Sequence, residues 1–405
     1  MVTAEFNPFT PGVLANPYPM YKALLENNPV SWNAMMEMWV LTRWADVDFI
    51  LNHPNVSADR RSARNRFSEM MNQQQENFGP FNRAQTMLTS DPPAHTRLRK
   101  LVSKAFTPRS VEALKPRIQE IVDHLLDEAE KANRIDLVTA LAYPLPVIVI
   151  AEMLGVPAGD REKFKKWSDD VVATLGGPFQ SPDVLTTARE SVEALAAYLM
   201  PIIETRRAEP QDDLISALVV AEEQGQVLSQ EEIFATAILL LIAGNETTTH
   251  LIDNSTFALL TNPDQLRMLQ SRPEMMPMAV EELLRFAGPV QATGRVLKED
   301  MVVGGQQMTE GQVAFTVLGA ANRDPDKWGP TADQLDLTRA PADHVALGDG
   351  IHFCLGAPLA RAELGTALGT LIQRFPELKL ETDAPEWGGT FIIRGIKSLP
   401  ITLKP

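Results

Sequence analysis

Cys354 is the only cysteine in the 405-residue chain, set in Leu347-Gly348-Asp349-Gly350-Ile351-His352-Phe353-Cys354-Leu355-Gly356-Ala357-Pro358-Leu359-Ala360-Arg361. One sulfur can form neither an internal disulfide nor a multi-thiolate metal site. The glycines at 348, 350 and 356 let the backbone take positive φ and approach a partner closely. After Pro358 the pattern turns helical, with Leu359, Leu364 and Leu368 expected to face inward and Arg361 and Glu363 to face solvent. The spacing predicts a tight loop that holds one thiolate at the N-terminal end of a helix. There, free N–H groups and the helix dipole stabilise negative charge on sulfur. A lone cysteine is more often an inert core residue. The flanking glycines, His352 and the following helix argue against that reading here.

A second constellation could move protons. Ser229 to Leu260 reads as a long buried helix, capped by Ser229 with Glu232 at the third position, and Ile233, Ala237, Leu240, Leu241, Gly244 and Thr248 keep helical spacing. Its centre, Ala243-Gly244-Asn245-Glu246-Thr247-Thr248-Thr249, places an acid and three hydroxyls where a buried helix should be apolar. The hydroxyls could simply bond back to helix carbonyls. Alternatively, Gly244 lets a ligand lie against the backbone, Thr247 opens the hydrogen-bond ladder and Glu246 relays protons from solvent. Acid–base delivery of this kind is worth roughly 10²–10⁴ in rate.

Two further clusters are charged. In Asp91-Pro92-Pro93-Ala94-His95-Thr96-Arg97-Leu98-Arg99-Lys100, Asp91 reads as an N-cap and Pro92 as first-turn residue. His95 and Arg99 then share a face, either as a solvated basic surface or as a grip on two carboxylates. Arg97 and Lys100 point elsewhere, suited to a docking partner. Glu282 and Arg285, three apart among Met278, Leu283, Leu284 and Phe286, read as a buried pair.

The cysteine segment closely resembles the haem-binding loop of the cytochrome P450 family, phenylalanine-glycine-x-glycine-x-histidine-x-cysteine-x-glycine, with Leu347 where the family usually has phenylalanine. The resemblance covers essentially the whole chain. It implies a mainly α fold with small β-sheets, a single domain over residues 1–405, and haem b (iron protoporphyrin IX) between the long distal helix and the helix after the Cys loop. Cys354 would be the axial iron ligand. His95, Arg99, Arg295 and His352 would hold the haem propionates. The alanine-glycine-x-acid-threonine signature is intact, which implies oxygen activation through Glu246 and Thr247. Glu282 and Arg285 match a glutamate-x-x-arginine pair locked by Arg339 into a structural triad, and Ala321-Asn322-Arg323-Asp324-Pro325 resembles the segment leading into the cysteine loop. The substrate cavity would be lined by Met87, Leu88, Leu240, Ala243, Gly244, Val290, Thr293, Phe391 and Ile392. The implied activity is monooxygenation of an apolar small molecule of terpenoid, steroid or macrolide class, using O₂. With no flavin or iron–sulfur module after Pro405, ferredoxin and ferredoxin reductase are the expected electron donors. A peroxide-driven enzyme is the nearest rival and a non-catalytic haem-binding protein a further one. Peroxide-driven members usually carry a distal-helix arginine, and Ser229 to Asn262 contains none.

The elements that must position these groups follow from pattern. Pro17 to Asn28 reads as a helix, Val30-Ser31-Trp32 and Met38-Trp39-Val40-Leu41 as a hairpin, and Ala45 to Leu51 as a helix. Residues 58–88 mix polar residues with Met70, Met71, Phe78, Phe81 and Met87, and are expected to form a mobile lid. Long helices resume from Pro92, broken at Gly155-Val156-Pro157 and Gly176-Gly177-Pro178, and Gly304-Gly305 marks a hairpin among the late strands. A net charge of −15, from 37 basic and 52 acidic residues, argues against a nucleic-acid binder. The N-terminus lacks signal-peptide character and the apolar run from Ile233 to Ala243 is too short to span a bilayer, so a soluble cytoplasmic protein without a membrane anchor is expected. The region from His95 to Arg109, with Arg361, is expected to offer a local basic patch to an acidic ferredoxin.

Overall fold

The computed structural model describes residues 5–66, 68–70, 86–173, 181–223, 225–340 and 343–404. Helices dominate, with short strands gathered mainly in the first and last parts of the chain. The chain divides into two compact units. One comprises Met1–Val56, Leu114–Leu145 and Thr247–Pro405, the other Ser57–Ala113 and Pro146–Glu246. The division falls inside the helices Pro108–Ala132, Pro144–Met153 and Gln230–Leu260.

In the first unit, Val30–Asn33 pairs antiparallel with Met38–Leu41, and Val313–Thr316 joins the second of these strands in parallel. Thr293–Leu297 continues the sheet antiparallel to Val313–Thr316, which places Arg295 opposite Ala314. The helix Trp44–Asn52 buries Val47, Ile50 and Leu51 against Leu41, Leu318 and Met308 of this layer. Each such side chain contributes roughly 1.5–3 kcal/mol by leaving water. Gly304 and Gly305, both at positive φ, turn the Met301–Val303/Gln306–Met308 hairpin expected from sequence. A separate hairpin, Glu386–Gly389 with Arg394–Ser398, brings Thr390 to Ile393 to its tip.

In the second unit, Ala94–Ala105 packs with Leu214–Val220, and Arg161–Val172 with Pro182–Ala208. The helix carrying His95 starts later than its sequence suggests. Its first residue is Ala94, Pro93 occupies the cap position without a side-chain cap bond, and the Asp91 carboxylate instead accepts from Ser57 Oγ at 2.7 Å and Ala58 N at 3.0 Å. The cap of the long helix is as expected: Glu232 N donates to Ser229 Oγ at 3.2 Å and Ser229 N donates to Glu232 Oε2 at 2.9 Å. Arg97, expected at a docking surface, is instead tied by its guanidinium to Glu232 and to the Val227 carbonyl.

Two sequence expectations fall outside the described residues: most of the 58–88 segment (67 and 71–85) and the Gly176-Gly177-Pro178 turn.

Candidate active site

The cysteine loop belongs to the first unit. A 3₁₀ turn at Gly350–His352 is capped by Asp349, whose carboxylate accepts from Gly350 N at 2.7 Å. Gly350 has φ +66°, and a β-carbon there would lie 2.6 Å from the Leu51 carbonyl oxygen, so only glycine lets the loop press against the end of Trp44–Asn52. Cys354 N donates to Leu347 O at 2.9 Å, which closes the loop and leaves a half-buried thiol ahead of the helix Ala357–Arg374. As expected, Leu359, Leu364 and Leu368 of that helix are buried.

Neither Arg361 nor Glu363 is free at solvent. Glu363 is 1% exposed and meets the Thr248 hydroxyl; burial pushes its carboxyl up to about 8 although Thr248 opposes the shift. Arg361 donates to both oxygens of Glu281, at 2.6 and 2.8 Å, so its charge is neutralised locally rather than offered as part of a basic patch. Glu281 also lies 3.2 Å from His344 Nε2. Burial raises its carboxyl, but Arg361 and His344 outweigh that and hold it at about 2.

Next to Glu281, Glu282 forms a buried bidentate pair with Arg285, one turn on, with both contacts at 2.7 Å. Arg285 also donates to the carbonyls of Asn322, Ala332 and Gln334. Arg339 reaches Glu282 Oε1 at 3.3 Å and the Trp328 carbonyl at 2.8 Å. The three residues thus bind together the segments that lead into the cysteine loop.

Arg295 is buried and donates to Thr293 Oγ1 and the Gly294 carbonyl. Val290 bridges Ile393 and Gln291 N donates to Ile392 O at 2.7 Å, so the segments holding Val290, Thr293, Phe391 and Ile392 adjoin. Phe391 packs against Phe9 and Phe315.

In the second unit His95 is buried and Arg99 half-buried, one turn apart on one helix; Met87 is half-buried and Leu88 is 55% exposed. Along the long helix, Ile233, Ala237, Leu240 and Leu241 are buried, whereas Ala243 is exposed and Gly244, Glu246 and Thr247 are half-buried. A β-carbon on Gly244 would touch only Ile150, at 3.8 Å. Asn245, Thr248 and Thr249 are buried. The least crowded point of the helix centre is thus Gly244, beside the half-buried Thr247.

Among the described residues, no group of three or more His, Cys, Asp or Glu is placed to hold a metal ion. Haem iron needs only one protein donor. A single half-buried thiol at a helix start suits that one donor.

The chain matches the Cytochrome P450 family model over residues 34–387 and belongs to that family. It is 42% identical over 380 residues (90% of this chain, 89% of the relative) to Cytochrome P450 CYP107DY1 of Priestia megaterium. It is 41% identical over 409 residues (100% of this chain, 98% of the relative) to the Vitamin D(3) 25-hydroxylase of Pseudonocardia autotrophica. The structure of the bacillaene polyketide synthase cytochrome P450 PksS of Bacillus subtilis superposes with a TM-score of 0.90, at 36% identity, covering 99% of this chain and 100% of that one. The protein is accordingly a haem b oxidoreductase that incorporates oxygen from O₂ and takes electrons from a transfer partner. Among the described residues no helix is long and apolar enough to cross a membrane.

Glu281 and His344 were not singled out from sequence, and Glu363 was placed at solvent. For Glu363 a signal existed: it stands four residues after Leu359 and beside Leu364, on the inward stripe.

Proposed function

We propose that this chain is a monooxygenase in which Cys354 would bind the haem iron and His95, Arg99, Arg295 and His352 would hold the two haem propionates. When bound, the haem supplies the capacity to activate O₂ and oxidise an unactivated carbon. The polypeptide's part is to hold a thiolate, to keep the site dry and to meter protons. The helix start at Ala357 and the loop amides favour the charged sulfur. Glu246, half-buried on the long helix, takes protons from solvent, and the Thr247 hydroxyl beside it passes them on to the site. The observation that carries this reading is the chain's single thiol, set in the Leu347–Gly356 loop ahead of the helix Ala357–Arg374.

The substrate is a bulky, largely hydrocarbon molecule of terpenoid, steroid or macrolide class. Relatives named for vitamin D and for a polyketide synthase support that class. So does the apolar set Leu240, Val290, Phe391 and Ile392. Met87, Leu88, Ala243, Gly244 and Thr293 complete the lining. The electron donors are a ferredoxin and its reductase, and the enzyme works in the cytoplasm.

The test compares NADH with a surrogate ferredoxin system against hydrogen peroxide alone, on a panel of terpenes, steroids and macrolides. Turnover is expected with the reductase chain and O₂, and Thr247→Ala should keep its haem while diverting electrons into hydrogen peroxide. Turnover with peroxide only, or full coupling in Thr247→Ala, overturns the assigned relay.

A further inference from the structure

The first unit contains a cleft of about 980 Å³ beside the helix Tyr18–Asn27 whose chemistry the oxygenase function does not use. Its floor holds two buried guanidinium groups, Arg323 at 8% and Arg394 at 4% exposure. The guanidinium carbon of Arg323 lies 3.6 Å from the centre of the Tyr18 ring and 4.1 Å from that of Phe286. Arg323 donates to the carbonyls of Phe286 at 2.7 Å and Asp333 at 3.4 Å. Arg394 stacks 3.3 Å from the centre of Trp387 and donates to the carbonyls of Leu14 at 2.8 Å and Ala15 at 2.7 Å, and to Tyr18 Oη at 3.5 Å.

Among the described residues neither guanidinium makes an ion pair with a carboxylate, whereas the other cations of the cleft do. Arg43 pairs with Asp46 at 2.7 Å and Lys22 with Asp333 at 3.7 Å. The Asp324 carboxylate is taken up by Trp44 N at 2.8 Å and Asp326 N at 3.0 Å. Two positive charges therefore share a buried floor: carbonyls, a phenol and ring faces contact them, and of the carboxylates Asp333 acts on Arg323 at longer range. Buried charges are costly unless an opposite charge compensates them. Burial pushes the Tyr18 phenol up, yet Arg394 and Arg323 outweigh that and the net shift is downward, which reports the positive field at its oxygen. One wall is apolar: Phe257, edge-on to Trp387 with centres 5.8 Å apart, continues into Ala258 and Leu25, while Glu26, Asp324, Asp326 and Asp333 line other parts of the cleft.

We propose that this cleft binds a small aromatic carboxylate, its anionic end at Arg323, Arg394 and the Tyr18 hydroxyl and its ring along Phe257, Ala258 and Leu25. A guanidinium fork matches a carboxylate in two parallel hydrogen bonds, about twice as strong as neutral ones. Of the lining residues on the Tyr18–Asn27 helix, Leu25 is half-buried and Lys22 exposed, so this side of the cleft reaches solvent.

The experiment uses the haem-loaded full chain and 2-naphthoate as probe, measured by titration calorimetry with and without an azole that saturates the iron. One equivalent should bind in both cases. 2-Naphthylmethanol, with the same ring and no charge, should bind at least tenfold more weakly. Arg394→Gln should lose at least tenfold, and Leu25→Trp, which crowds the place assigned to the ring beside Phe257 and Ala258, should also lose at least tenfold. Absence of binding, displacement by the azole, or equal affinity for acid and alcohol overturns the proposal. The comparison of acid and alcohol on the unaltered protein decides even if Arg394→Gln fails to fold.

Discussion

Arg361 holds Glu281 through two parallel hydrogen bonds of 2.6 and 2.8 Å, joining the helix that follows Cys354 to the helix Met276–Ala287. The adjacent Glu282 belongs to a different network, with Arg285 and Arg339. Two consecutive acids thus serve two purposes: one fixes the segments that precede the cysteine, the other the helix that follows it.

Arg361→Ala should lower the stability of the haem-loaded protein. Charge-assisted hydrogen bonds contribute roughly 1.5–3 kcal/mol, and the partial exposure of this pair brings the expectation down to about 1–2 kcal/mol. The pH dependence has a definite sign. Glu281 titrates at about 2 when folded against an ordinary 4.5, so its contribution is complete above pH 4.5 and is lost as the pH falls towards 2. Acid unfolding followed by far-UV circular dichroism should begin at higher pH in Glu281→Gln; an unchanged acid midpoint would contradict the assignment.

Glu363 works in the opposite sense. Its carboxyl is held neutral in the fold, at about 8 against an ordinary 4.5. As pH rises from 4.5 to 8 the unfolded chain loses this proton first, so folding stability falls across that window by up to about 1.4 kcal/mol per pH unit and levels off above it. Glu363→Gln keeps the neutral shape and should flatten the denaturation midpoint between pH 5 and 8. An unaltered slope would show that the carboxyl is already ionised in the native state.

A β-carbon on Gly395 would lie 1.9 Å from the His250 ring, so Gly395→Ala should destabilise by about 1–3 kcal/mol through overpacking. His250→Ala in the same chain removes the obstructing ring and should restore most of the loss. Urea titrations of both variants measure this, and a double variant no better than the single one refutes the packing account.

Removing one partner of a buried ion pair costs roughly 3–5 kcal/mol. Arg285→Lys loses the fork that grips Glu282 and three carbonyls, so little folded haem-loaded protein should be recovered. Cys354→Ser, by contrast, should fold but lack the red-shifted Soret band of the reduced carbon monoxide complex. Persistence of that band would assign the iron ligand to another residue.

Local grammar made much of this legible. The cysteine loop announces itself through glycines and one sulfur at fixed spacing. The Ser229–Glu232 box names the start of the long helix, and the apolar neighbours of Glu282 and Arg285 reveal their burial. What escaped notice depends on distance along the chain. Glu281 finds Arg361 and His344 across 80 and 63 residues, which no periodicity encodes. Arg97 and Glu232 are likewise 135 apart, so a residue that looked free for a partner proved committed within the fold. Glu363 was misread for a different reason: its charge was weighed above its place on the inward stripe.

At Gly350 the chain touches the Leu51 carbonyl with no room for a carbon. Every missense change a single nucleotide can make in a glycine codon adds at least that carbon. Ordinary mutational drift therefore has no step open at this position, and a lineage can leave it only by first moving the end of the Trp44–Asn52 helix.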